Sequence, residues 1–197
     1  DAYFLQLLGT AMGTSAACMW ATIYFSVHES DTLIPTFGHH LILYVRYIDD
    51  IFGIWIGDSD DDWLLFQNET NSFGLLQWDF SPVSRSINFL DLTILVESGE
   101  ITFCTYQKLM NLYQYISPHS AHPPGVVRGM VYGLVKTYHN QNSREQDYIT
   151  ILSLLHRRLV ERGWDSTFIK ELIIWADTSV KLRQPTDEPT NEPTLPP

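Results

Sequence analysis

The 197-residue chain has few cysteines, few basic side chains over its first half and no long uninterrupted apolar run. Two cysteines, Cys18 and Cys104, are too few for a disulfide framework or a zinc site. Both lie in apolar surroundings and read as buried free thiols. The apolar run over 41–56 is cut by Asp49 and Asp50, well short of the roughly 20 residues a membrane helix needs, so no membrane partner is expected. No basic segment precedes an apolar one at the start, so no signal peptide is expected. The first residue is Asp1 rather than Met, and the sequence reads as a fragment.

What is present is a core. The composition is 45% hydrophobic and 13% aromatic, enough for one domain or two small ones. The net charge of −11 argues at first sight against a nucleic-acid partner. Its distribution does not: residues 1–118 carry a net of −11, residues 119–183 a net of +3, and residues 184–197 a net of −3. Nine of the twelve basic side chains fall within 119–183.

Local patterns divide the chain further. "QLLGTAMG" (6–13) reads as a Gly-rich turn. It leads into a buried helix capped by Thr14 or Ser15, with Met19, Ile23 and Val27 at four-residue spacing. "HLILYVRYIDDIFGIWIG" (40–57) is rich in Ile, Tyr, Val and Trp and reads as a hairpin with Asp49 and Asp50 at its tip. Apolar residues on both faces predict strands covered on both sides. "DSDDD" (58–62) is an acidic helix start suited to the helix dipole. Trp63, Phe66, Gln67 and Thr70 continue that helix until Gly74 ends it, and a strand is expected over 75–80. Residues 87–96 and 101–106 flank "ESGE" as a second hairpin. Beyond Pro118 three helices are predicted. The first carries Val127, Val131 and Tyr138. The second has a Ser143–Gln146 capping box and stops at Gly163. The third starts at Asp165. The tail 184–197, rich in Pro, Thr and acids, reads as disordered.

Adjacent carboxylates at a hairpin tip suit a hard divalent cation, which also offsets their mutual repulsion. Asp is also a common turn residue, and the pair taken alone favours that plainer reading. The pair's neighbours change that. "YIDD" (Tyr47 to Asp50) within "RYIDDIF" resembles the catalytic hairpin of reverse transcriptases. Upstream, "QLLGTAMG" looks like the family's turn against template and incoming nucleotide. Downstream, "NFLDLTI", "GEIT" and "TYQK" are similar to its primer-gripping hairpin. The basic helical segment stands where these enzymes place the thumb. Among family members, "RYIDDIF", "FLDLTI", "TYQK", "SPHSAHP" and "RGW" most resemble the Penelope-like retroelements. There "TYQK" usually continues with Pro-Thr, and here Leu109 and Met110 follow. The likeness runs from about residue 4 to 176; that to telomerase and group II intron enzymes rests mainly on the Asp pair.

The resemblance implies an α+β fold: part of a polymerase palm with antiparallel β-hairpins over 1–117, an all-α three-helix thumb over 118–183, and the tail. It implies RNA-directed DNA synthesis through two magnesium ions, with manganese as a substitute, on an RNA template, a DNA primer and deoxynucleoside triphosphates. Asp49 would ligate metal directly and Asp50 would hold or tune the site. Gln6, Gly9, Thr10, Met12, Gly13 and Tyr47 would contact nucleotide and template. Phe89, Leu90, Asp91, Leu92 and Lys108 would grip the primer. Arg85, Arg128, Lys136, Arg157, Arg158 and Arg162 are candidate phosphate contacts. The family's first catalytic Asp and its fingers find no counterpart here. The missing fingers and palm portion of the same protein are therefore an expected partner, and 1–197 alone is expected to be inactive. A nuclear setting within the cell goes with a retroelement. Arg46 reads as a backbone contact or as the partner of an acid. His119 and His122, among prolines, read as turn residues rather than ligands. Trp20, Trp55 and Trp63 read as core. Two other classes remain open: a domesticated, catalytically silent derivative that binds nucleic acid or protein, and an unrelated metal-dependent phosphohydrolase.

Overall fold

The computed structural model describes residues 9–11, 13–57, 59–123 and 125–183. They form a mixed α+β fold with two small antiparallel sheets. No helix among them is long and apolar enough to cross a membrane. Gln6, Met12 and the tail 184–197 lie outside the described residues. The chain divides into two compact units, Asp1–Ser84 and Arg85–Pro197. The sequence changes character at Pro118, but the compact units part earlier, because the hairpin after Arg85 packs with the helices that follow it.

In the first unit, helix α1 (Ala17–His28) widens into a π-helical turn (Glu29–Leu33) and tightens through α2 (Ile34–Phe37) into strand β1 (Leu41–Tyr47). Strand β2 (Asp50–Trp55) returns antiparallel, with Tyr47 opposite Asp50, Arg46 opposite Ile51 and Tyr44 opposite Gly53. Register slips between Leu41 and Leu43, a bulge that brings Leu41 into phase with Tyr44 and Arg46. That face meets Phe25, Leu33, Phe37 and Phe66. The expected cover on both faces is not found: Leu43, Val45 and Tyr47, on the other face, are exposed. Helix α3 (Asp60–Thr70) starts as its sequence requires. The Ser59 hydroxyl accepts from the Asp62 amide, and Asp60, Asp61 and Asp62 fill the positive first turn.

Further expectations for this unit fail. The cap of α1 is Ala16, with no side-chain hydrogen bond, because Thr14 turns back to the Ala11 carbonyl. The helix buries Phe25 and His28 but exposes Met19, Trp20, Ile23 and Val27, so the four-residue spacing marks its outer face. Trp20 is therefore not core and Cys18 is not buried, whereas Trp55 and Trp63 pack on the aromatic cluster as expected. Residues 75–80 make no strand. The Asn71 side chain replaces a neighbouring strand by accepting from the Trp78 amide at 2.6 Å and donating to its carbonyl at 3.2 Å.

In the second unit, β3 (Ser86–Phe89), β4 (Leu92–Glu97) and β5 (Glu100–Thr105) form a meander in that order. The sequence reads 87–96 as one strand. A two-residue turn at Leu90–Asp91 divides it instead, pairing Phe89 with Leu92, with Leu90 left-handed at φ 53°. The turn at Ser98–Gly99 is where "ESGE" predicts it, both residues at positive φ, as a tight hairpin requires. Helices α4 (Val126–Asn140), α5 (Glu145–Glu161) and α6 (Ser166–Leu182) bury Val131, Val135, Leu155, Leu159, Ile169 and Ala176 among them. Asp165 caps α6 through the Phe168 amide at 2.8 Å. Ser143 does not cap α5. Its hydroxyl accepts from the Phe103 amide and donates to the Phe103 carbonyl, while Asn142 accepts from the Thr105 amide. The α4–α5 loop thereby pairs with the open edge of β5. Cys104 is half-buried there, and burial raises its thiol pKa, with Asp147 adding to the effect.

Candidate functional site

The hairpin tip is a tight turn. Two residues, Ile48 and Asp49, connect the Tyr47–Asp50 pair. Ile48 has φ 56° and Asp49 is not left-handed, the φ signs of a turn that normally takes glycine at its first position. A β-branched residue there is strained and persists only where its surroundings over-determine it. Asp49 and Asp50 are both exposed, so water solvates them and no cation is needed to make their placement tolerable. Asp50 lies on the outer face of the sheet, beside the exposed Tyr47 opposite it.

Behind the tip sits a buried ion pair. Arg46 donates through Nε and Nη2 to the two oxygens of Glu29, each at 2.7 Å. Nη2 also reaches the Thr22 carbonyl at 2.9 Å, and Nη1 the Ile48 carbonyl at 3.1 Å. The side chains of Arg46 and Glu29 are only 6% and 12% exposed. Tyr44 donates to Glu29 at 2.7 Å, and its phenol pKa lies well above the usual value through burial first and the Glu29 carboxylate second. The hydrogen bond to Glu29 likewise raises the pKa of Arg46. Of the two roles the sequence leaves open for Arg46, it fills both: it pairs with an acid and it holds backbone. Sequence reading missed Glu29 and Tyr44. The only trace of Glu29 is an acid at the end of an apolar helix.

Gly9 and Gly13 have φ 77° and 89°, as a Gly-rich turn needs, and Thr10 is exposed beside them. In the second unit, Phe89, Leu90, Asp91 and Leu92 form the β3–β4 turn, whose Asp91 carbonyl accepts from the Tyr106 amide at 2.8 Å. Lys108 lies exposed on a turn closed by the Asn111 amide, followed by Leu109 and Met110 at 99% and 95% exposure.

The candidate phosphate contacts divide into two groups. Arg158 donates to Gln107 at 2.6 Å and stacks on the Tyr113 ring at 3.7 Å; Arg162 donates to the Tyr115 carbonyl at 2.8 Å. Together with the Trp164 indole on the Ile116 carbonyl, they fasten the segment after β5 to the end of α5. Arg128, Lys136 and Arg157 are exposed, Arg157 within reach of Glu161 one turn on. Arg85 is exposed and its carbonyl accepts from the Val96 amide. Arg128 lies over the Trp175 ring at 4.1 Å and Arg183 over Tyr132 at 5.7 Å. With Gly125 and Gly129 they line a shallow depression of about 300 Å³ between α4 and α6. Ser120 and His122 hydrogen-bond to each other in an exposed turn, in keeping with a turn role. No family model, no curated protein and no solved structure matches the chain.

Proposed function

We propose that the chain carries part of the active site of a retroelement reverse transcriptase, together with helices that hold its nucleic acid. The observation that carries this is the "YIDD" tip itself: two exposed, adjacent carboxylates, Asp49 in a strained two-residue turn and Asp50 at the start of β2, with a buried ion pair behind the turn. Strain of this kind gathers at functional sites.

Magnesium fits the donor set in kind, since it takes hard oxygens and keeps several waters. Among the described residues no group of three or more acidic, His or Cys side chains could hold a metal ion. Asp49 and Asp50 would supply part of a coordination shell that substrate phosphate and water would help complete. When bound, the ion supplies electrostatic stabilisation to the attacking and leaving oxygens of phosphoryl transfer. The chain's own contribution is placement. Asp49, exposed in the turn, would be the direct ligand, and Asp50, exposed at the start of β2, its auxiliary. Tyr47 offers a phenol ring beside Asp50 against the nucleotide. The β3–β4 turn and Lys108 hold primer, and Arg128 and Lys136 on α4 contact phosphate. Arg158 and Arg162 serve instead to hold the segment 107–116 in place.

A titration of the chain with an RNA–DNA hybrid tests this reading. Binding is expected at low salt and falls steeply with added salt. Lys136→Ala weakens it and lowers the log–log salt slope by about 1. No binding at low salt, with the helices folded by circular dichroism, overturns the nucleic-acid assignment.

A further inference from the structure

We propose that Arg46 is a positioning residue for the carboxylate pair, acting by holding Ile48 in a conformation its side chain disfavours; this rests on the reading of Asp49 and Asp50 as metal ligands. The chain of contact is short. Glu29, at the start of the π-helical turn, takes the Arg46 fork in two 2.7 Å hydrogen bonds. That leaves Nη1 aimed along the strand at the Ile48 carbonyl, 3.1 Å away. The carbonyl of Ile48 belongs to the peptide that leads into Asp49. Anchoring it fixes the orientation of that peptide, and with it the placement of Asp49 in the turn and of Asp50 where β2 begins.

Two features make this more than an ordinary ion pair. The pair is expensive to bury, and its guanidinium spends donors on backbone at two separated places, the Thr22 carbonyl of α1 and the Ile48 carbonyl of the turn. The turn it holds also carries isoleucine where glycine would cost nothing. An unstrained turn would need no strut. Arg46, Glu29 and Tyr44 thus form a brace that ties the tip to the helix behind it, with the Tyr44 hydroxyl fixing the carboxylate that fixes the arginine.

The test uses the full chain, isotope-labelled, with amide hydrogen exchange read by nuclear magnetic resonance. Arg46→Lys keeps the charge but loses the fork. It should speed exchange at Tyr47, Asp49 and Asp50 about tenfold relative to the amides of α3. Ile48→Gly in the same chain should bring the tip back to within about twofold of the original, because glycine adopts positive φ without a brace. A merely structural ion pair predicts no such rescue. Should Arg46→Lys also loosen α3, Tyr44→Phe removes one hydrogen bond only and is expected to act on the tip alone, in the same direction. Unchanged tip exchange, or a tip that Ile48→Gly does not restore, overturns the proposal. Manganese broadening of the Asp49 and Asp50 resonances is then followed in the same variants, and should weaken in Arg46→Lys and recover with Ile48→Gly. If the original chain shows no broadening, the metal reading fails while the exchange result still decides the role of Arg46.

Discussion

Single side chains do much of the joining in this fold. Asn71 stands in for a strand by bonding both the amide and the carbonyl of Trp78. Asn71→Ala is expected to destabilise the chain by about 1–3 kcal/mol, since it leaves two half-buried backbone groups unpaired, and urea unfolding followed by tryptophan fluorescence measures it. Gly74 is required for a different reason. It has φ 64°, a backbone conformation L side chains rarely adopt, so Gly74→Ala should cost roughly 1 kcal/mol, while the exposed Tyr24 hydroxyl that a Cβ would meet can move aside. The two thiols differ as well. Cys18 is exposed, whereas burial raises the pKa of Cys104 and keeps it protonated. Iodoacetamide at mildly alkaline pH should label Cys18 first, with Cys104 reacting only as pH rises further; equal rates would contradict the burial.

Elements were legible where one residue type decides a boundary. Asp165 announces its helix because a short acceptor before an apolar run satisfies orphan amides, and the acids of "DSDDD" announce α3 through the helix dipole, although the Ser59 cap itself went unread. Asp165→Ala should cost about 1 kcal/mol, read as a lowered midpoint of thermal unfolding. The "ESGE" turn was legible where expected, whereas the "YIDD" hairpin was legible but its turn lies one residue earlier than expected, at Ile48–Asp49, with Asp50 already paired in β2. The Leu90–Asp91 turn was not legible, because nothing in "NFLDLTI" supplies the glycine or asparagine that such a turn favours. Ser143 misled for a similar reason. A capping-box spacing carries no information about a β5 edge forty residues earlier, and that edge captured the hydroxyl. The outward apolar face of α1 is the third case, since periodicity gives a stripe but not the direction in which it points.

For the whole molecule, acids crowd the first 118 residues and bases the helices after them, and the candidate metal ligands and, apart from Arg85, the candidate phosphate contacts follow the same division. The two carboxylates of the first unit and the cations of the second were readable as candidates. The brace behind the carboxylates was not, because Glu29 and Arg46 are seventeen residues apart and meet only through the π-helical turn. Alkaline pH should loosen both units. Burial, helped by hydrogen bonds to Glu29, Tyr115 and Asp177, raises the phenol pKa values of Tyr44, Tyr138 and Tyr148. Below the usual tyrosine range folded and unfolded chains keep these protons alike, and their contribution to stability is intact. Above about pH 10 the unfolded chain releases them first, so stability falls as pH rises toward the folded values. Unfolding midpoints measured across this range should decline, and Tyr44→Phe should flatten the decline.

The central claim is that Asp49 and Asp50 form part of a divalent metal site. Manganese titrated into the labelled chain should broaden the resonances of Ile48, Asp49 and Asp50 before those of the acidic start of α3, and Asp49→Asn should abolish that preference. Broadening that favours Asp60, Asp61 and Asp62, or that spreads evenly over the exposed acids, would contradict it.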